Sequence, residues 1–348
     1  MSINKQACAL LINDMHASKD NIAEFHANWE EAISICKQHR IADIIVGGDL
    51  WLSRSSQTLN TLLAVRQAII KATNAGLCVT LAEGNHDKVD QESLLGYSHI
   101  FSEYPHVYVV DNYTVLEYGD NLVLYVMSYF PEDGSFTDRL NDILDNDFDS
   151  CKYNVLYIHE GINGALATAS GKELPSKIFK DFNAVLVGHY HNRCKIKGTN
   201  IEYIGSSRQH NFGEDEAKGY TILYTDGSYE FIENQVNTRY KVMDLSLSQV
   251  NNDLLGQLTR LKESGKYKVK TRINCDSTEA SSIDKQKLIE AGAAKVEIVT
   301  ERLETISTDS HSLEQKFDKS GIKAEYVGFC NGKEISSDMG LRYLDKIN

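Results

Sequence analysis

Short apolar runs, each stopping abruptly at polar residues, recur along the chain. The first, ACALLI at residues 7–12, ends at NDMH. A run of that length between polar neighbours reads as a buried strand. Ile22, Phe25, Trp29, Ala32, Ile33 and Cys36 then follow at helical spacing within residues 20–39. ADIIVGGD repeats the strand-to-acid pattern. A second helix is predicted over residues 57–74, with Gly76 where a C-terminal cap belongs. LCVTLAEGNHD is the third repeat. Three strand–polar–helix units in succession predict an α/β sheet with helices on its faces, and in such sheets chemistry sits beyond the carboxyl ends of the strands.

The middle of the chain is richer in strands: HVYVVD, TVLEYG and NLVLYVMSYF, then a short helix over residues 136–146, then NVLYIHE and NAVLVGHYH, both ending in histidine. RCKIKG, IEYIGSS, GYTILYTDG and SYEFIEN read as antiparallel strands closing a second sheet. Two sheets packed face to face with helices outside is the predicted architecture. The composition shifts after residue 235. SQVNNDLLGQLTRLKESG reads as a helix or linker, and YKVKTRINC, IDKQKLIEAG and AKVEIVTE as a compact strand-helix-strand unit. The organisation predicted is residues 1–235, then 236–304 as linker and small α/β domain, then a tail, 305–348, with two amphipathic stretches, SLEQKFDKSG and LRYLDKI.

Composition narrows the chemistry. The formal net charge is −13, so the surface as a whole repels a phosphate backbone; any positive charge for handling phosphodiesters must be local, from bound metal or a partner. The 7 cysteines are scattered, odd in number and never paired as Cys-x-x-Cys, which predicts reduced thiols and a cytoplasmic protein. The N-terminal stretch lacks the length and flanks of a signal peptide, and no apolar run reaches membrane-spanning length.

The polar residues at the strand ends are Asp14 and His16; Asp49; Asn85, His86 and Asp87; His159; and His189 and His191. Each alone has an ordinary explanation. Asp14 and Asp49 suit helix N-caps, His159 suits a satisfied core histidine, and the two histidines of GHYH suit packing on one face of a strand. Delivered together to one sheet edge without compensation, they would be heavily destabilising. Two divalent cations resolve this. Oxygen and imidazole ligands without thiolate suit manganese, iron or zinc, and Asp49 can bridge the pair. Such a pair activates water and polarises a phosphate. Asn85 then serves as a neutral metal ligand, His86 as an acid for the leaving oxygen, and Asp87 as the carboxylate orienting the His86 ring.

The motifs DMH, GGD, GNHD, His159 and GHYH, in this order, resemble the calcineurin-like metallophosphoesterases over residues 7–234. The resemblance implies a four-layer αββα sandwich with a small C-terminal α/β capping domain. It implies one metal held by Asp14, His16, Asp49 and His191, and a second by Asp49, Asn85, His159 and His189, with His86 as the catalytic histidine. The stretch IEYIGSSRQHNFGEDEAKGYTIL further resembles the SbcD-type DNA repair nucleases, which carry a capping unit like residues 267–299. That implies two metal ions, Mn2+ foremost with Mg2+, Fe2+ or Zn2+ as alternatives. It also implies exonuclease and endonuclease action on DNA, an SMC-like coiled-coil ATPase partner of the SbcC type, and a homodimer, with the 57–74 helix a candidate surface. The tail is expected either to dock the partner or to cover the capping domain. Leu52 stands where many of these nucleases carry a histidine or acid, so the balance of exonuclease and endonuclease action is open. Arg54, Arg208 and His210 are candidate substrate contacts, and Tyr190 is expected in the core. The competing expectations are a phosphoesterase acting on a small molecule or a protein, and an inactive scaffold, against which the intact GNHD speaks.

Overall fold

The computed structural model describes residues 5–131, 134–166 and 173–300, and nine single positions between 323 and 341. The chain divides into two compact units. One comprises Met1–Asn274 with Ser281–Val299, the other Cys275–Ala280 with Thr300–Asn348. In the second unit, Cys330 is buried and Phe329 exposed. SLEQKFDKSG, and LRYLDKI beyond Leu341, lie outside the described residues.

The first unit is built on two six-stranded sheets. In the first, β1 (Ala7–Ile12), β2 (Asp43–Gly47), β3 (Cys78–Ala82) and β4 (Val107–Val110) run parallel, and β11 (Gly219–Tyr224) and β12 (Tyr229–Glu233) extend it antiparallel beside β1, in the order β12-β11-β1-β2-β3-β4. In the second, β6 (Leu122–Met127), β7 (Tyr153–His159), β8 (Ala184–Gly188) and β10 (Ile201–Tyr203) run parallel. β5 (Tyr113–Tyr118) and β9 (Cys194–Lys195) form its antiparallel edges, giving the order β5-β6-β7-β8-β10-β9.

The strands are apolar throughout because both faces are covered. Leu10, Ile12, Ile44 and Val46 pack against Phe25, Trp29, Val65 and Ile69 of α1 (Ile22–His39) and α2 (Leu59–Asn74). Their neighbours Ala9, Leu11 and Ile45 face Leu124, Val126, Val155 and Tyr157 of the second sheet. That sheet's other face, with Tyr125, Met127 and Leu156, packs on Phe136 and Leu140 of α3 (Ser135–Asp142). The four layers are therefore helix, sheet, sheet, helix. Alternate residues of each strand serve opposite layers.

Two sequence expectations are corrected. The four strands expected to close the second sheet divide between the sheets: β9 and β10 join the second, with β10 parallel to β8, while β11 and β12 extend the first. All four runs are short and apolar on alternate positions, and nothing local in them distinguishes one sheet edge from the other. The strand-helix-strand unit also has one more strand than expected. β13 (Arg239–Ser246) pairs in parallel with β14 (Tyr267–Cys275) in a sheet ordered β13-β14-β15, where β15 is Ala293–Thr300. The β13–β14 crossover is α4 (Asn252–Glu263), capped by Asn251, whose side chain accepts from Asp253 N and Leu254 N. With α5 (Lys285–Ala291), these elements bury Leu254, Leu258, Val269, Ile273 and Leu288.

Among the described residues, no helix is long and apolar enough to cross a membrane, and all 7 cysteines are unpaired.

Candidate metal centre

The loops after β1, β2, β3 and β8 and the last residue of β7 meet at one edge of the sandwich, bringing Asp14, His16, Asp49, Asn85, His86, His159, His189 and His191 together. Four of the six non-glycine residues with positive φ belong to this set: Asp14 (52°), His16 (48°), Asp49 (53°) and His189 (91°). Left-handed backbone at a non-glycine residue costs on the order of 1–3 kcal/mol and clusters at functional sites. The bent backbone also corrects the expectation for GHYH. β8 ends at Gly188, so His189 and His191 turn inward from a loop rather than from one face of a strand. Glycine is required where the loops cross: a Cβ on Gly84 would fall 2.2 Å from Asp49 Oδ1, and one on Gly48, at φ 106°, 2.4 Å from His159 Nδ1.

The hydrogen bonds around the rings determine which nitrogen faces inward. His159 Nδ1 donates to Gly47 O (3.1 Å), which leaves Nε2 as a lone pair 3.3 Å from Asp49 Oδ2 and 3.9 Å from Asp14 Oδ1. His191 Nδ1 donates to Glu214 Oε1 (2.9 Å), and its Nε2 stands 3.7 Å from Asp14 Oδ1. His16 Nδ1 faces Trp51 O (3.4 Å) and its Nε2 lies 3.6 Å from Asp49 Oδ2. His189 Nδ1 lies 3.2 Å from Asn85 Oδ1. Two trios, Asp14–Asp49–His159 and His16–Asp49–His86, bring ligand atoms within 4.8 Å of one another, and both include Asp49. Asp14 Oδ1 and His159 Nε2 are buried and have no hydrogen-bond partner. Such orphaned acceptors are costly in a protein interior, and a divalent cation among them would satisfy both. The residues fit a divalent metal.

The electrostatics point the same way. Burial alone would lower the His159 pKa, but Asp49 and Asp14 outweigh it and push it up to about 10. The carboxylates thus hold a place for positive charge that a proton fills in the metal's stead. Burial lowers His16 to about 4, against the pull of Asp49 and Asp14. Burial, reinforced by His159, lowers His189 to about 4. These two rings stay neutral, the form that coordinates metal.

His86 is half-buried at the rim. Its Nδ1 donates to Leu52 O (2.6 Å), and its backbone N donates to Asp49 Oδ1 (2.8 Å). The ring is therefore oriented by the Leu52 carbonyl, which corrects the role expected of Asp87. Asp87 is wholly buried and accepts from Trp51 N (2.9 Å) and Gly84 N (2.6 Å). It ties the loop after β2 to the loop after β3. Burial, then the Asp49 charge, pushes its pKa up to about 7.

Arg208 is also committed inside the protein. Its guanidinium donates to Met15 O (3.2 Å) and Glu24 Oε2 (3.3 Å), so it braces the loop after β1 rather than presenting an open phosphate contact. His210 Nε2 donates to Asp14 O (2.8 Å), and its ring joins His16 and His191 in a third trio of candidate ligands. Arg54 is exposed. Tyr190 is half-buried against Tyr203 and donates to Glu173 Oε1 (2.6 Å). Two supporting residues escaped the sequence reading. Asn13 donates to Asp14 Oδ2 (2.5 Å) and to Gly205 O (2.9 Å), and Glu214 orients His191. The signal for Asn13 was a buried amide directly before the first ligand; Glu214 sat in an acidic loop whose register on His191 only the fold reveals.

The sequence is 29% identical over 226 residues to the putative phosphoesterase 244L of Invertebrate iridescent virus 6, covering 62% of this chain and 74% of that protein. With this similarity laid over the five converging loops, the family follows. The chain is a calcineurin-like metallophosphoesterase. It is also 25% identical over 211 residues to the D-type subunit of nuclease SbcCD from Staphylococcus saprophyticus, covering 52% of this chain; the metallophosphoesterase spans about half, 54%, of that protein. A solved dimetal phosphatase from Danio rerio aligns over 64% of this chain and 93% of its own, at 10% identity and a TM-score of 0.41, too low to bear on function. No family model matches the chain.

Proposed function

We propose that this metallophosphoesterase is the nuclease subunit of an SbcCD-like complex, hydrolysing DNA phosphodiesters. The observation that carries the reading is how the IEYIGSSRQHNFGEDEAKGY stretch closes over the metal centre. Glu214 orients His191, His210 bonds the backbone of Asp14, and Lys218 donates to His191 O. The motif that resembles SbcD-type nucleases is thus the wall of the site, and the similarity to an SbcCD nuclease subunit supports it.

Asp14, His16, Asp49 and His191 would hold one divalent ion, and Asp49, Asn85, His159 and His189 the other, with manganese the expected metal. Bound there, the pair supplies activated water and charge neutralisation at the phosphate. His86, its Nδ1 engaged by Leu52 O, keeps Nε2 for protonating the leaving oxygen. Residues 236–304 serve as the capping domain beside the substrate path. An SMC-like ATPase of the SbcC type supplies the basic DNA-gripping surface that a chain of net charge −13 lacks. Leu59 and Leu63, exposed on α2, suit a homodimer contact, and the cytoplasm is the expected compartment.

The test is cleavage of linear double-stranded DNA with Mn2+, with and without the ATPase. Metal-dependent cleavage supports the reading. Hydrolysis confined to small phosphomonoesters in a metal-loaded sample points instead to a small-molecule phosphatase.

A further inference from the structure

A cavity of about 400 Å³ opens beside the metal centre. His16 and His210 contribute to it from the metal side, Tyr240 and Lys268 from β13 and β14, and Arg208 and Glu24 from the loop and helix that follow β10 and β1. We propose that this cavity receives a nucleobase of the strand being cut, the one neighbouring the scissile phosphate, against the ring of Tyr240. The proposal rests on the nuclease reading and names a further contact for that substrate.

Three observations carry it. First, Tyr240 is mounted rigidly on the metal-site loop. Its backbone N donates to Gln209 Oε1 (2.8 Å), and Gln209 Nε2 donates back to Tyr240 O (3.0 Å). Gln209 is itself buried between Arg208 and His210. Phe212 braces the ring edge-on, at 5.1 Å between centroids and 84° between planes. An aromatic ring fixed this way presents area to a base at little entropic cost, and base–aromatic stacking tolerates any sequence.

Second, the cavity's charge does not suit a phosphate. Glu24 already engages both cations, with Oε2 3.3 Å from Arg208 Nη1 and Oε1 3.7 Å from Lys268 Nζ, and Asp20 adds a further carboxylate. Two cations facing two acids leave a neutral, polar pocket with an aromatic wall, which matches an uncharged heterocycle. Third, Arg208, 4% exposed at its side chain, lines the cavity with its Nε lacking an acceptor. The ring nitrogens and carbonyls of a base are acceptors of the kind this wall lacks.

A base can enter only when unpaired from its complement, so the cavity selects frayed ends or single-stranded flanks. The experiment scans synthetic oligonucleotides carrying one abasic site at successive positions around the cut, with Mn2+ and the full-length protein, alongside bis(p-nitrophenyl) phosphate. The expected result is one position at which loss of the base slows cleavage by about tenfold, the scale of one stacking contact. In Tyr240→Ala that position dependence disappears, and in Tyr240→Phe it persists. Equal cleavage at every abasic position, or full position dependence in Tyr240→Ala, overturns the base pocket while the nuclease reading stands. Hydrolysis of the small diester with no cleavage of any oligonucleotide overturns the nuclease reading and the pocket with it. The scan on the unaltered protein decides the matter even if Tyr240→Ala does not fold.

Discussion

His16 Nε2 and His191 Nε2 stand 3.1 Å apart, and each ring's other nitrogen faces an acceptor, Trp51 O for His16 and Glu214 for His191. Two neutral rings so engaged turn lone pairs toward each other. The contact is repulsive without a cation or proton between them, and Asp14 and Asp49 supply the countercharge. This pair, more than any single ligand, shows what the five loops are shaped to hold.

Metal binding should therefore stabilise the fold as well as enable chemistry. Adding Mn2+ to chelator-treated protein is expected to raise the melting temperature, with about 2.7 kcal/mol gained when free metal reaches about 100 times its Kd. His159→Gln removes an inward lone pair and should lower both the shift and the metal bound per chain. Differential scanning fluorimetry paired with elemental analysis measures this. An unchanged melting temperature across the metal titration would contradict the site.

His86 has a different role, and its variant should separate chemistry from binding. In His86→Ala, hydrolysis is expected to fall by roughly 10²–10⁴-fold, the range for loss of a general acid, while metal content holds. The Leu52 carbonyl that orients the ring is backbone, so Leu52→Ala should keep most of the activity. Steady-state rates on a phosphodiester, with metal content measured on the same samples, test both statements.

Asp87 should behave as a structural brace. Asp87→Asn retains one acceptor oxygen where the native carboxylate serves both Trp51 N and Gly84 N. One buried N–H is left without a partner, at a cost of about 1–3 kcal/mol. The expected signature is a lower denaturation midpoint together with weaker metal affinity, because both loops carry ligands. If Asp87 instead oriented His86, the variant would change the pH profile of catalysis at unchanged stability, an outcome that would restore the expectation from sequence.

Much of this fold and its metal centre was legible in the sequence. The strand-end polar residues named all seven metal-ligand candidates, because burying acids and imidazoles at one sheet edge needs a common cause. The layers were legible because parallel strands covered on both faces are apolar throughout, as ACALLI and NVLYIH are. Three features were not. Whether β11 joins the first sheet or the second depends on long-range pairing with β1, which leaves no local mark. The roles of Asp87 and Leu52 depend on which neighbour a turn brings nearest, and GNHD specifies residues but not the backbone they meet. Arg208 looked like a free cation because its partners, Met15 O and Glu24, are distant in sequence.

Lys88, immediately after GNHD, yields a prediction about pH. It is wholly buried, with Nζ donating to Tyr129 O (2.9 Å) and lying 4.1 Å from the centre of the Phe130 ring. Burial lowers its pKa to about 8, against the pull of Glu83, whereas in the unfolded chain it titrates near the ordinary lysine value of about 10.4. Below about pH 8 the ammonium is charged in both states, and the folded state bears the cost of burying it. As pH rises from about 8 to about 10.4, the folded protein releases the proton first, so folding is favoured progressively over that window. Lys88→Met removes the charge and with it this dependence. The difference in melting temperature between Lys88→Met and the unaltered protein should therefore move in the unaltered protein's favour across the window, and level off above it. Thermal melts of both proteins in matched buffers measure the difference; a constant gap would mean that the buried ammonium carries no such penalty.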